Sequence, residues 1–334
     1  KEYKKGLVSS SAKLAFKLDV SDLPIPIPMK KMSYDLPLKI NHGPFILPLA
    51  KSGLAFVEAS MKLPEQAVKQ ARVQLSKDST LPHMDFSLLI NFDESSVFKS
   101  AIPHFVLKPK QFPGQLIWKG MDMTYNISKN FMMVQGSSTL NGIEFSSPFG
   151  NANVSKIDVL SDLKATDLGL WVGAGSFNVP AISVSARGKN IFDLSKFTAN
   201  SFADMKNGLL EGKVKLSLES VKTMGQNFGP GNVDMSVRKV DASVFVQLQS
   251  VIQQLKEGQN LPQEKQNKLR KELDALFPQM LAKGAELSLN KFDFKLPQGL
   301  ISAALNVKLP AGNKATKIME LVDYVQAKGY VKVP

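Results

Sequence analysis

Hydrophobic and polar residues alternate with a period of two along most of this chain. Leu14, Phe16, Leu18 and Val20 alternate with Lys13, Lys17 and Asp19. Met84, Phe86, Leu88, Ile90 and Phe92 make the cleanest such run in the first third, and Val214, Leu216 and Leu218 alternate with Lys213, Lys215, Ser217 and Glu219. In a strand, successive side chains point to opposite faces, so each run describes a strand with one buried and one wet face. The first strand is expected from near Leu7, and further strands at 115–128, 131–140, 153–163, 168–178 and 180–187. Pro24–Pro28, where proline alternates with isoleucine, reads as an extended connector or a sheet edge, because proline cannot donate to a ladder. Residues 64–72 read as a short helix or a loop. Asn41-His42-Gly43-Pro44-Phe45 reads as a turn, and Asn141-Gly142 as a two-residue hairpin turn.

The period changes twice between Phe228 and Leu309. After Gly229-Pro230-Gly231, Val233, Met235 and Val237 alternate with Asp234, Ser236 and Arg238. Val244, Leu248, Val251, Ile252 and Leu255 then fall at helical spacing, with Asp241 or Ser243 as the cap and Gly258 as the stop. A second helix from Leu261-Pro262 carries Leu269, Leu273, Leu276, Phe277 and Met280 before Gly284, and Pro278 should kink it or mark its final turns. Leu287 and Leu289 resume a strand. Its inward set shifts by one to Phe292, Phe294 and Leu296, which predicts a bulge near Asn290–Lys291. Leu305, Val307 and Leu309 form the return strand, Ile318 to Val325 a short amphipathic helix, and the chain extends again after Gly329.

Strands that follow one another without helices between them pair antiparallel. The expected fold is therefore mainly β (α+β): a long curved antiparallel sheet or a sandwich built of hairpins, with a helical pair near 242–282 covering a face or edge. The expected division is an N-terminal β region, 1–140, and a central and C-terminal β region, 141–334, with the helices as an insertion; the alternative is one continuous elongated domain.

Composition narrows the chemistry. A chain of 334 residues with 43% hydrophobic and 21% charged residues can bury a large core, and no apolar run approaches the roughly 20 residues that span a bilayer. The absence of cysteine excludes disulfides, thiol catalysis and thiolate metal sites. A net charge of +13 favours phospholipid head groups, nucleic acid or an acidic partner. The lysines are scattered over polar strand faces with no basic run among aromatics, so nucleic acid is not expected and a solvated surface near an anionic membrane is. The 20 phenylalanines and 13 methionines, with Met121-Asp122-Met123 and Phe131-Met132-Met133 among them, suit an elongated core or an irregular apolar groove.

Candidate chemistry is sparse. His42, His83 and His104 lie in separate segments without H-x-x-x-H spacing, and each reads as a structural or surface histidine; His42 suits a hydrogen bond that fixes its turn. Asp93, Glu94, Asp158, Asp162 and Asp167 fall on polar strand faces or turns, and Gly173-Ala174-Gly175 is a lone glycine pair without a phosphate-loop context. No catalytic residue, cofactor or metal ligand is expected.

Three segments share one resemblance. They are Tyr3-Lys4-Lys5-Gly6-Leu7-Val8-Ser9-Ser10 before an alternating strand, His42-Gly43-Pro44-Phe45, and Gly229-Pro230-Gly231-Asn232 through Asp241 with the helices and Leu276-Phe277-Pro278-Gln279-Met280-Leu281. In this order they resemble the YdgA-like (YdgA/YihF) family, Gram-negative envelope proteins of unknown function, over nearly the whole chain. The resemblance implies that Tyr3, Gly6, Ser9, His42, Gly43, Pro44, Phe45, Gly229, Gly231, Asp241 and Pro278 are structural family motifs. It also implies a periplasmic body and an inner-membrane anchor upstream of Lys1, leaves open whether the chain continues beyond Pro334 as family members can, and carries over no catalytic residue. The expected function is a non-enzymatic envelope scaffold or accessory component acting through protein partners. The alternative is a lipid-binding or lipid-transfer module with an apolar groove along the sheet.

Overall fold

Alternation becomes antiparallel pairing through most of the chain in a computed structural model, which describes residues 3–6, 8–19, 31–257 and 262–334. Two compact units appear: Lys1–Asp162 with Val179–Leu194, and Leu163–Asn178 with Ser195–Pro334. Both are built mainly of antiparallel strands, as the alternation predicts.

The N-terminal unit contains a meander. Strand β1 (Ser9–Asp19) pairs with β2 (Lys31–His42) along its whole length, and β3 (Ala55–Lys62) adds to β2. After helix α1 (Glu65–Gln74) come β4 (His83–Ile90), β5 (Ser96–Ile102), β6 (Met121–Ile127) and β7 (Met133–Leu140), each pairing with the strand before it in this series. The helix-or-loop stretch 64–72 is thus a helix, shifted to Glu65–Gln74, whereas Leu7 and Pro24–Pro28 lie outside the described residues. One face of the meander carries the apolar rows. Ile40, Val57, Leu88, Phe98 and Tyr125 lie across from one another, and Leu38, Ala59, Phe86, Ser100 and Met123 form the next row.

Asn141-Gly142 does not close a hairpin. Gln115–Trp118 pairs with Ile143–Ser147 while β6 pairs with β7, so the chain reverses between them, at residues 128–132. There Asn130 and Phe131 both have φ of 59°. At Asn141-Gly142 the ladder continues: the Lys119 amide donates to Gly142 and the Asn141 amide to Gly120. Gly120 and Gly142, at φ of 109° and 124°, bend the two paired strands together. A glycine at positive φ serves a bend as readily as a reversal. Nor does the chain divide here: Ile143–Ser147 stays with its ladder, and the units part near residues 162, 178 and 194. The expected strands at 168–178 and 180–187 are one strand, Trp171–Ala186, followed by Arg187-Gly188 with both φ positive.

From residue 195 the C-terminal unit continues strand β8 (Lys189–Lys206), and β8, β9 (Leu209–Leu218), β10 (Gly231–Asp241), β11 (Glu286–Leu296), β12 (Gly299–Lys308) and β13 (Gln326–Lys332) pair in that sequence. Helices α2 (Ala242–Glu257) and α3 (Gln263–Leu281) interrupt the chain between β10 and β11 without breaking their pairing. Of the two candidate caps it is Asp241 that serves, accepting from the Ser243 and Val244 amides at 3.0 and 3.2 Å. Gly258 and Leu261 lie outside the described residues. Pro278 is fully buried in the final turns of α3, which ends before Gly284 at φ of 87°. The bulge falls where the pattern shifts: Asp234 pairs with Lys291 and Met235 with Leu289, while Asn290 Nδ2 donates to the Asp234 carboxylate and the Ser236 hydroxyl. Leu248, Val251, Leu269, Leu276 and Met280 form a core with Val240, against which Leu210 and Val237 pack, so the helical pair covers one end of a sheet face. Ile318–Tyr324 is a 3-10 helix. Among the described residues no helix is long and apolar enough to cross a membrane.

Candidate functional site

The motif residues around His42 and around Gly229 form two corners, one in each unit, whereas Asp241 and Pro278 belong to the helical pair. In the first, β1 and β2 bring Ser10 opposite Ile40 and therefore onto the face of His42. The Ser10 hydroxyl lies 2.8 Å from His42 Nε2 and also accepts the Gly6 amide at 3.3 Å. The His42 amide donates to Val8, the Gly43 amide to Leu54, and the Gly53 amide to Pro44. A Cβ on Gly6 would stand 2.0 Å from the Ser9 carbonyl oxygen, and one on Gly43 1.8 Å from that of Gly53, so neither position admits a side chain without backbone movement. The Gly43-Pro44 bond is cis. Beyond it Phe45 is exposed and Ile46 fully buried. Tyr3 lies in a two-residue strand against Ala12. A serine hydroxyl against an imidazole can be an activated nucleophile. Ser10 is only 5% exposed and its hydroxyl holds the Gly6 amide as well, so the contact closes the corner.

The second corner repeats the arrangement. Gly229-Pro230 is cis, the Gly229 amide donates to Lys295 and the Lys295 amide to Pro230. The Phe294 ring lies over Gly231, where a Cβ would approach it to 2.7 Å. The sequence marks Gly229 and Gly231 as a motif and Phe294 only as an inward strand residue, because the register of β10 on β11 alone sets Phe294 over Gly231.

From this corner an apolar face spreads across the C-terminal sheet. Val214, Met235, Leu289 and Leu305 make one cross-strand row, and Leu216, Val233, Phe292, Ala303 and Val331 the next. The opposite face is polar, with Lys215 paired to Asp234, Lys291 to Asp293, and the Asn306 amide bonded to Ser288. Helices α2 and α3 cover the Leu210–Val237–Val240 end of the apolar face. Farther along it Met235 is 39% exposed, Leu305 43% and Val331 74%.

A family model described as a bacterial protein of unknown function, DUF945, matches residues 1–334. The chain belongs to the DUF945 family. No curated protein and no solved structure matches it.

The remaining candidates of this DUF945 protein are dispersed. His83 lies 3.5 Å from Asp85, while His42 is committed to Ser10. No group of three potential metal ligands occurs among the described residues. Asp158 is held below the usual carboxylate range by hydrogen bonds from Lys156 and Thr139, and Asp93 by the hydroxyl and amide of Ser95. Asp162 accepts from Gln135, and Glu94 pairs with Lys129. These are carboxylates anchored one at a time on wet surfaces, an arrangement that stabilises loops and strand faces. The apolar face is, by contrast, a contiguous surface on which a ligand could lie.

Proposed function

We propose that this DUF945 protein is a non-enzymatic, YdgA-like envelope protein, tethered to the inner membrane with its body in the periplasm, and that it binds the acyl chains of lipid along the apolar face of its C-terminal unit. The localisation rests on the three ordered motifs. The lipid reading rests on one observation: two adjacent rows of apolar side chains, without a polar member, cross from β9 to β12 and β13 and remain half-exposed beyond the helical pair. A folded chain that exposes a contiguous apolar patch of this kind has something to put on it. Four strand spacings of about 4.8 Å give a width of about 19 Å, enough for the roughly 15 Å that one leaflet's acyl chains occupy in a bilayer core. A protein interface would be expected to carry aromatic or arginine anchors and about one hydrogen bond per 100–200 Å². The rows offer one phenylalanine and no side-chain hydrogen-bonding group, which suits an alkyl chain better than a scaffold's protein partner.

Purification from envelope membranes followed by native mass spectrometry tests this. Phospholipid should co-purify with the native chain and be lost from Leu305→Glu, a substitution at a half-exposed position that spares the core. Absence of lipid from the native chain, or equal lipid in both, overturns the reading. A protein crosslinked at position 305 in place of lipid would restore the scaffold.

A further inference from the structure

The sheet of the C-terminal unit ends on an open edge. Among the described residues β13 pairs with β12 alone, and every residue of β13 is exposed. An edge strand leaves alternate N–H and C=O groups unpaired, a template on which another extended chain can add. Native edges are commonly blunted by shortness, proline or a bulge. β13 has none of these: it runs seven residues without proline, in unbroken register from Gln326 opposite Lys308 to Lys332 opposite Ser302. Its two sides differ. Ala327 and Val331 continue the apolar side of β12, while Lys328, Tyr330 and Lys332 stand on the polar side, opposite Asn306, Ala304 and Ser302. The carboxylates of β11 on that side are already engaged: Glu286 lies 2.8 Å from Lys239 and 4.0 Å from Lys308, and Asp293 lies 3.1 Å from Lys291. Lys328 and Lys332 make no ion pair among the described residues. The edge therefore presents main-chain hydrogen-bonding groups beside two lysines, with no carboxylate in the strand.

We propose that β13 is a docking edge for an extended acidic segment of a protein partner, added to the sheet as a further strand. Its apolar side chains would stand across from Ala327 and Val331, and its carboxylates across from Lys328 and Lys332. The lysines choose the occupant. A second copy of this chain, itself at +13, would double the lysines of the row, whereas cross-strand pairs of opposite charge stabilise a ladder. Tyr330, 61% exposed between the two lysines, adds an aromatic contact on the same side. The docking is independent of the lipid reading, because main-chain groups at the edge carry it and acyl chains would lie on the side chains of one face.

The test is a titration of the full chain with a fluorescent heptapeptide of alternating glutamate and valine, followed by anisotropy and by amide hydrogen exchange. Expected are saturable binding, no binding by the same peptide with lysine in place of glutamate, and slowed exchange at the alternate amides of β13 that β12 does not take. A strand pairs along one edge, so N-methylation of one alternate set of peptide amides should abolish binding and N-methylation of the other set should leave it. Lys328→Gln and Lys332→Gln should each weaken the acidic peptide about two- to fivefold while the melting temperature reports an intact fold. The proposal is overturned by the absence of saturable binding, by equal binding of the two peptides, or by methylation that acts alike on both sets. Exchange slowed elsewhere than in β13, or lysine variants that bind like the native chain, overturn it as well. If the β13 amides slow with protein concentration alone, the edge belongs to a second copy and the acidic partner is ruled out.

Discussion

Ser100 is a buried hydroxyl without a partner among the described residues. It is 4% exposed, on the apolar face of β5 between Phe86 and Met123, and its Oγ makes no hydrogen bond. A buried donor left unsatisfied costs about 1–3 kcal/mol. Ser100→Ala should therefore be neutral or stabilising by up to about 1 kcal/mol in urea unfolding, and a clear loss of stability would show that the hydroxyl has work in the fold. Ser138 is the contrast: its hydroxyl lies 2.8 Å from that of Tyr125, and Ser138→Ala should cost about 1 kcal/mol in the same assay. Gly43 admits no Cβ because of the Gly53 carbonyl, so Gly43→Ala should destabilise by more than about 2 kcal/mol. His42 and Gly43 stood out as residues of a distinctive turn. Ser10 did not, because Ser9 is its identical neighbour and only strand parity decides which of the two faces the imidazole.

At the scale of elements, Asp241 joins a strand to a helix. Burial pushes its carboxyl up, but the Ser243 hydroxyl, the Val244 and Ser243 amides and the nearby Lys283 charge outweigh this and leave it below its ordinary value. A carboxylate with a depressed folded pKa contributes stability that is present above the unfolded value of about 3.9 and is lost as pH falls through the folded one. Asp241→Ala should cost about 1 kcal/mol at pH 7. Asp241→Asn keeps a capping oxygen, so its melting temperature should vary less with pH than the native chain's between pH 7 and 3; equal slopes would remove Asp241 from the acid transition. The cap, the helices and the Asn290 bulge were legible because each is written in residues adjacent in the chain. The role of Asn141-Gly142 was not, since a bend within a ladder and a hairpin turn ask for the same glycine.

For the whole molecule, charge and apolar surface make separate demands. The net charge of +13 should draw the protein to anionic vesicles, and raising salt from 0.1 to 1 M shortens the Debye length from about 10 to about 3 Å. Vesicle association, followed by flotation, should therefore fall steeply with salt. Lipid held along the C-terminal face should survive the same wash, because apolar burial is not screened. If salt strips both equally, the bound lipid is held by charge and not by the face.

By itself the sequence determined that most of the chain is strand, the change of period that makes a helical pair and the bulge at Asn290, since these depend on residues a few positions apart, and its lack of cysteine excluded thiol chemistry. Only the tertiary structure decided that Ser10 meets His42, that Phe294 lies over Gly231, and that the helical pair covers one end of the apolar face and leaves Met235 and Leu305 open. The physical reason is that alternation states which side of a strand is apolar. What lies against that side depends on pairing between segments tens of residues apart.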